Sequence, residues 1–327
     1  MQYRKLGKTN FEISEISLGT WQVGGKWGSE FDHDNADMIL NTAIDNGINF
    51  IDTADVYGDR LSEKAVGRLL KNRSERIFIA TKCGRRLQPH TNEAYTPKAM
   101  RGFVEDSLQN MGLDCLDLIQ IHCPPTEVYY RPEVFEEFEK LKTEGKILNM
   151  GVSVEKVEEA LKAIEYDCVS TVQIIFNMFR QRPAELFFKE AKKKNVGIIA
   201  RVPLASGLLS GKFTKSTQFE KDDHRNFNRN GEAFDKGETF SGIDYDKGVD
   251  TVEELKDMFP DTSLVDLALK WILMFDEVSC VIPGASRPEQ LLDNLKASDM
   301  PALSEENMQK IKALYKNNIK ADVHQLW

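Results

Sequence analysis

The chain has little of what would send it to a membrane, out of the cell or onto nucleic acid. No apolar segment follows the N-terminal MQYRKLGKTNFEIS, so no signal peptide is expected, and no run approaches the length of a membrane span. Cysteine is scarce. The five residues Cys83, Cys115, Cys123, Cys168 and Cys280 are scattered and odd in number, with no C-x-x-C pair. Neither a disulfide framework nor a zinc site follows from such spacing, and no metal is expected. Positive charge is in deficit, with 43 Lys and Arg against 52 Asp and Glu, a formal net charge of -9 and a pI near 5.3. A surface of that sign repels nucleic acid and anionic lipid, so any anion site must be local. Internal repeats and domain linkers are missing as well. A reduced, cytoplasmic setting is the simplest expectation.

What is present is a patterned chain of 327 residues, 41% hydrophobic and 29% charged, enough for an ample core. Short runs rich in Ile and Val stand at 13–19, 48–54, 76–82, 116–122, 148–154, 170–176, 196–202 and 278–284. Amphipathic stretches separate them. In DNADMILNTAIDNG, Ala36, Ile39, Leu40, Ala43 and Ile44 share one helical face, and Gly47 is a stop signal. Others open on Ser or Pro and close on Gly or Asn, as helix caps do. Eight β-then-α units in series predict parallel strands with right-handed crossovers, and eight such units close into a (β/α)8 TIM barrel spanning residues 1–327 as one domain. The alternative is a doubly wound open sheet, but no G-x-G-x-x-G follows the first strand. Residues 1–12 read as an N-terminal β-hairpin with Gly7 to Asn10 as its turn. A long polar, Gly-rich loop after strand seven, about 214–250, breaks the rhythm; loops of that length in compact domains are commonly functional or disordered.

A barrel places its active site at the C-terminal ends of its strands. Strand two ends at Asp52, with Tyr57 on the loop that follows; strand three ends at Lys82 and strand four at His122. Singly, such a group is often an ordinary buried partner; one on each of three successive strands points to a shared site. A free Tyr has a pKa of about 10 and is a poor acid at neutral pH. A neighbouring ammonium would lower that value, an Asp would hold the ammonium, and a His could contact a carbonyl oxygen. The set is a proton donor for a carbonyl that lacks only a hydride source. VIPGASRPEQLLDN, 281–294, offers an anion site at a helix N-terminus, and Arg287 suits a phosphate monoester. PLASGLLSGKF, 203–213, is not a P-loop: Gly207 and Gly211 are one residue too close, and Phe213 stands where Ser or Thr is required. Such a loop can still hold a pyrophosphate.

Taken together, GINFIDTADVYG, IATKCG, DLIQIHCP, GVS, VQIIFN, VPLASGLLSGK and IPGASRPEQLLDN resemble the aldo-keto reductase superfamily in order and spacing, from the hairpin to about Asn294. The resemblance implies a barrel that binds NADPH extended, without a Rossmann fold, and reduces a small-molecule aldehyde or ketone. It implies catalytic roles for Asp52, Tyr57, Lys82 and His122. Nicotinamide amide contacts would fall on Ser153 and Gln173, with Thr20, Trp21 and Asp52 near the nicotinamide ribose. Pro203, Leu204, Gly207, Ser210 and Lys212 would meet the pyrophosphate. Gly284, Ser286, Arg287, Gln290, Asp293 and Asn294 would meet the adenosine and its phosphate. Apart from the resemblance, the polarity and glycines of 214–250, with Arg225, suggest a loop that folds over the cofactor and slows its release. Trp21 and Trp27, with Tyr57 and His122, are candidate substrate walls, the tryptophans alternatively packing at the barrel mouth. There are two departures. Val154 follows Ser153 where the family often has Asn. Arg201 stands where an aromatic residue usually stacks on the nicotinamide; it would either stack there, its charge disfavouring NADP+, or turn away to a carboxylate. The potassium-channel β subunits share the pattern, so a cofactor-binding sensor or regulatory subunit is the second expectation. A sugar isomerase or aldolase on the same barrel leaves IPGASRPEQ unexplained.

Overall fold

The computed structural model describes residues 1–25 and 30–327. Trp27 lies outside the described residues. Eight parallel strands form one curled sheet in chain order: β3 (Leu18–Gly19), β4 (Phe50–Asp52), β5 (Phe78–Cys83), β6 (Leu116–His122), β7 (Ile147–Ser153), β8 (Val169–Ile175), β9 (Gly197–Arg201) and β10 (Val278–Val281). The ends of the sheet meet. Ser17 donates to the carbonyl of Val281 at 2.9 Å, Val281 donates to Glu15 at 2.9 Å and Gly19 donates to Pro283 at 3.2 Å. The sheet is therefore a closed (β/α)8 barrel, and closure removes the exposed edges an open sheet would carry.

Among the described residues, ten helices of seven residues or more alternate with or follow the strands, plus two of four residues. The first, α1 (His33–Asp45), buries Ala36, Ile39, Leu40, Ala43 and Ile44, the face its 3.6-residue spacing specifies. Its N-terminus is capped by the Asp32 side chain, which accepts from the Asn35 amide at 2.9 Å. The barrel helices then run α2 (Leu61–Asn72), α3 (Pro97–Met111), α4 (Pro132–Thr143), α5 (Val157–Ala163) and α6 (Phe187–Lys193).

The expected first strand, 13–19, is divided. Its opening residues form β2 (Glu12–Ser14), which pairs antiparallel with β1 (Tyr3–Lys5), Tyr3 opposite Ser14. Only Leu18–Gly19 joins β4. The hairpin closes the N-terminal end of the barrel: Leu6, Phe11 and Ile13 pack on the interior residues Phe50, Ala80, Leu118, Ile199 and Cys280. Contact there is so close that a Cβ on Gly7 would lie 2.1 Å from the Gly197 nitrogen. Gly7 also has φ +50, so glycine is required on both counts. With that end plugged, the barrel opens at the opposite end, where the strands terminate.

The long loop after β9 is folded rather than loose. It carries a one-turn helix, α7 (His224–Phe227), and runs into α8 (Tyr245–Met258), followed by α9 (Leu264–Leu273) and, after β10, α10 (Pro288–Asp299). Phe213, Phe219, Phe240 and Tyr245 form a chain of ring contacts beneath it. The Asn228 side-chain oxygen Oδ1 accepts from the backbone amides of Ala233 and Phe234, each at 2.8 Å. Beyond α11 (Glu305–Leu314) and α12 (Lys320–Val323), Trp327 braces the same loop, its indole N–H donating to Asp235 at 2.7 Å.

Candidate active site

Parallel pairing sets the register at the open end. Gly19 lies beside Asp52, Lys82 beside Gln120, His122 beside Ser153 and Ser153 beside Gln173. Because strand side chains alternate between faces, residues two apart such as Gln120 and His122 share one face. Asp52, Tyr57, Lys82 and His122 are brought together here.

Lys82 is fully buried and spends all three ammonium protons. They go to Asp52 Oδ1, to the Thr53 carbonyl at 2.8 Å and to Tyr57 Oη at 3.2 Å. The other carboxylate oxygen of Asp52 accepts from Gln173 Nε2 at 2.7 Å and from Gln120 Nε2 at 3.1 Å. Burial disfavours the Lys82 charge, but Asp52 and then Tyr57 more than restore it, and its pKa stands above the usual value. The Tyr57 phenol moves the same way for a different reason. Burial pushes it up, Lys82 pulls it down, and burial wins. This corrects the expectation of a lowered Tyr57: the phenol is neutral at pH 7. His122 meets Tyr57 edge-on, ring centroids 6.1 Å apart. Burial, followed by the charges of Arg85, Lys82 and Arg201, holds its pKa well below 6.5, so the ring is neutral. Its Nδ1 is buried and has no hydrogen-bond partner among the described residues.

These groups face a cavity of about 640 Å³. Thr20, Trp21, Asp52 and Gln173 line it from one side, Pro203, Leu204 and Gly207 from another, and Gly284, Ser286 and Gln290 from a third. A smaller cavity of about 220 Å³ adjoins it through Leu204, Gly207, Arg225 and Gln290, and is lined also by Ser210, Lys212, Asp293 and Asn294. Ser153 lines neither; its hydroxyl lies 3.5 Å from Cys123 Sγ. Arg287 also lines neither and stands exposed just ahead of α10. Gln290 Oε1 accepts from the Ser286 amide at 3.0 Å and its hydroxyl at 3.2 Å, fixing that turn. Asn294 donates to the Gly284 carbonyl at 3.4 Å. Among the described residues, neither Lys212 nor Arg287 makes a side-chain hydrogen bond or ion pair. Arg225 is paired with Asp223 at 2.5 Å and lies over the Phe219 ring at 4.7 Å.

Arg201 turns to carboxylates. It donates to Glu238 at 2.5 Å, to Glu155 at 3.3 Å and to the Val154 carbonyl at 3.0 Å. Sequence reasoning passed over Glu155 and Glu238, along with Gln120, Arg85 and His224. The His224 ring lies 4.7 Å from that of Trp21 at the cavity wall. Gln120 had a signal, its two-residue spacing from His122. Glu238 and His224 had none, because loop residues carry no period.

Both the sequence and the solved structures of other proteins answer to this arrangement. The chain belongs to the Aldo/keto reductase family, whose profile matches residues 15–316, and it is an oxidoreductase by that membership. It is 31% identical over 326 residues to "Aldo-keto reductase YhdN" of Bacillus subtilis (strain 168), covering 98% of this chain and 95% of that one. It is 26% identical over 342 residues to a "Probable voltage-gated potassium channel subunit beta" of Oryza sativa subsp. japonica, covering 98% of each. Among solved structures it resembles the glycerol dehydrogenase AKR11B4 from Gluconobacter oxydans, with TM-score 0.79, 29% identity and coverage of 97% and 96% of the two chains. Among the described residues, no helix is long and apolar enough to cross a membrane.

Proposed function

We propose that the protein is an NADPH-dependent carbonyl reductase in which Tyr57 donates the proton. The observation that carries this reading is the Lys82 ammonium joining Asp52 to a neutral Tyr57 at the cavity floor, with a neutral His122 beside it. Reduction of a carbonyl needs a proton at oxygen as charge develops there. Tyr57 holds that proton, and Lys82 stands ready to stabilise the phenolate that donation leaves. A neutral His122 can present a ring N–H to the same oxygen and orient it. The four groups together favour turnover over a purely regulatory role.

The residues fit a nicotinamide dinucleotide. The two adjoining cavities run from the Tyr57 site to Lys212, and the open cations Lys212 and Arg287 suit its phosphates. Gly207, at φ +95, allows a backbone approach that a side chain would obstruct. When bound, the reduced nicotinamide supplies the hydride. Thr20, Trp21 and Gln173 would hold the nicotinamide end; Gln173 spends its N–H groups on Asp52 and Gln120, leaving its carbonyl for that contact. Pro203, Leu204, Ser210 and Lys212 would line the pyrophosphate. Ser286, Arg287, Gln290, Asp293 and Asn294 would take the adenosine end, with Arg287 selecting the 2′-phosphate. Arg225 and the folded loop would close over the middle.

Loss of NADPH absorbance with a panel of aldehydes tests the reading. Tyr57→Phe should abolish reduction while leaving NADPH affinity nearly intact. A Tyr57→Phe variant that keeps the wild-type kcat would refute the assignment.

A further inference from the structure

Among the described residues, one arginine lining the main cavity makes no side-chain hydrogen bond and is held only by a long ion pair. Lys82 is held by Asp52, Arg201 by Glu238 and Glu155, and Arg225 by Asp223. Arg85 differs. It follows Lys82 by three residues, just past the end of β5, and lines the main cavity with a side chain 24% exposed. It makes no hydrogen bond among the described residues. Its nearest carboxylate, Glu155, is 3.9 Å away and already accepts from Arg201. Glu238 attracts it from farther off, and Arg201 repels it. The guanidinium carbon lies 5.7 Å from the Phe234 ring, which supports one face and leaves the fork of N–H groups open. Gln88, on the same loop, reaches the same cavity.

Position assigns this cation to the substrate. In the strand order, β5 is four strands from β9 and three from β10 across the closure, so Arg85 stands on the wall opposite Lys212 and Arg287. The proposed phosphate contacts are on the far side. Arg85 is also close enough to His122 to be the foremost of the charges that depress it. A carbonyl carbon placed against Tyr57 and His122 would therefore have the rest of its molecule directed at Arg85.

We infer that Arg85 is a specificity-determining residue, and that the substrates of this site carry a carboxylate on the side of the carbonyl away from the hydride. A guanidinium presents two parallel N–H donors that match both oxygens of a carboxylate. This inference rests on the carbonyl-reductase reading of the same cavity and narrows its substrate class. Arg201, the cation that the sequence set either against the nicotinamide or against a carboxylate, has its charge matched by two glutamates.

The probes are 4-formylbenzoate and its methyl ester, which differ little in shape or in carbonyl reactivity. Wild type should favour the acid by about ten- to a hundredfold in kcat/KM, the range of a charge-assisted hydrogen bond. In Arg85→Gln the acid-to-ester ratio, which cancels general damage to the site, should fall to near one. Arg85→Lys should retain part of the preference. A ratio unchanged in Arg85→Gln, or a wild type that does not prefer the acid, overturns the inference. Calorimetry with NADP+ present and the two alcohol products as ligands separates this from the parent reading. If neither aldehyde is turned over, the reductase reading fails. The Arg85 contact then stands if the acid binds more tightly than the ester only when Arg85 is present, and falls if the two bind equally.

Discussion

Replacing Arg201 by Leu should destabilise the protein strongly, and should do so in a pH-dependent way. Arg201 is 8% exposed and donates to Glu238, Glu155 and the Val154 carbonyl. Removing it leaves two carboxylates, 17% and 12% exposed, without their principal cation. Breaking a buried ion pair from one side costs about 3–5 kcal/mol. Arg85 and Arg180, the other cations near Glu155, would recover some of that. The sign with pH follows from linkage. In wild type, burial and the Glu238 charge already hold Glu155 above the ordinary carboxylate range, while Arg201 holds Glu238 below it. Without Arg201 both folded values rise above the unfolded value of about 4.3. A carboxylate raised on folding contributes its stability below the unfolded pKa and loses it as pH climbs through the folded one. The deficit of Arg201→Leu should thus be small at pH 5 and full at pH 8. Urea unfolding followed by tryptophan fluorescence at both pH values measures it, and Glu238→Gln in the same chain should recover part of the loss. A deficit below about 1 kcal/mol, the scale of an exposed pair, or one equal at both pH values, would refute the reasoning. The matched charge also changes the cofactor expectation. A bare guanidinium about 4 Å from an oxidised ring would repel it by roughly 4 kcal/mol at an effective dielectric near 20. With Glu238 bonded to it, Arg201→Tyr should leave the NADPH-to-NADP+ affinity ratio almost unchanged.

Arg287→Ala should erase most of a preference for NADPH over NADH, about ten- to a hundredfold in Kd for one charge-assisted contact; equal wild-type affinities for the two cofactors would sink that assignment. Limited proteolysis should cut within 214–250 more readily in the cofactor-free protein than with NADPH, and identical digestion patterns would mean the loop does not respond to the cofactor. Asp55 is 2% exposed, neither of its carboxylate oxygens has a hydrogen-bond partner among the described residues, and burial pushes its pKa from 3.8 up to about 7. That raised value removes stability as pH rises from about 4 to 7, by about 4 kcal/mol in all, so Asp55→Asn should gain most of this at pH 8 and less than half at pH 5 in urea unfolding, and no gain at pH 8 would contradict it.

The parts of the fold that repeat were legible in the sequence. The buried face of α1 follows from a 3.6-residue period, and the strands from runs bounded by Gly and Pro. Parallel order then places strand ends side by side, which is why Asp52, Lys82 and His122 could be brought together before any coordinates. The division of 13–19 was hidden because its alternation is continuous. What interrupts the strand is distant: Glu15 is buried by pairing with Arg4 at 2.9 Å and accepting from Ser298 at 2.8 Å, 283 residues away. The long loop was visible only as an excess of polar residues. Its fold depends on contacts no local window contains, such as Ser206 Oγ donating to the Glu238 carbonyl at 3.0 Å and Trp327 donating to Asp235. Those contacts deliver Glu238 to Arg201, so the charge at 201 could be read from the sequence but not its neutralisation.

The same limit explains why the neighbour of Tyr57 was read correctly and its effect was not. Pairing an ammonium with a phenol lowers the phenol's pKa if both stay wet. Here Lys82 is fully buried and already neutralised by Asp52, whose second oxygen is filled by Gln120 and Gln173. What remains for Tyr57 is a single directed N–H at 3.2 Å, set against the cost of desolvating a phenolate there. Burial wins while the phenol is at rest, so the proton stays on Tyr57 at neutral pH. The balance changes only as the proton leaves, because a hydrogen bond to an anionic oxygen is about twice as strong as one to a neutral oxygen. On the proposed reading, Lys82 therefore acts on the state reached during proton transfer more than on the resting enzyme. That is the condition under which an interaction accelerates a reaction instead of merely tightening binding.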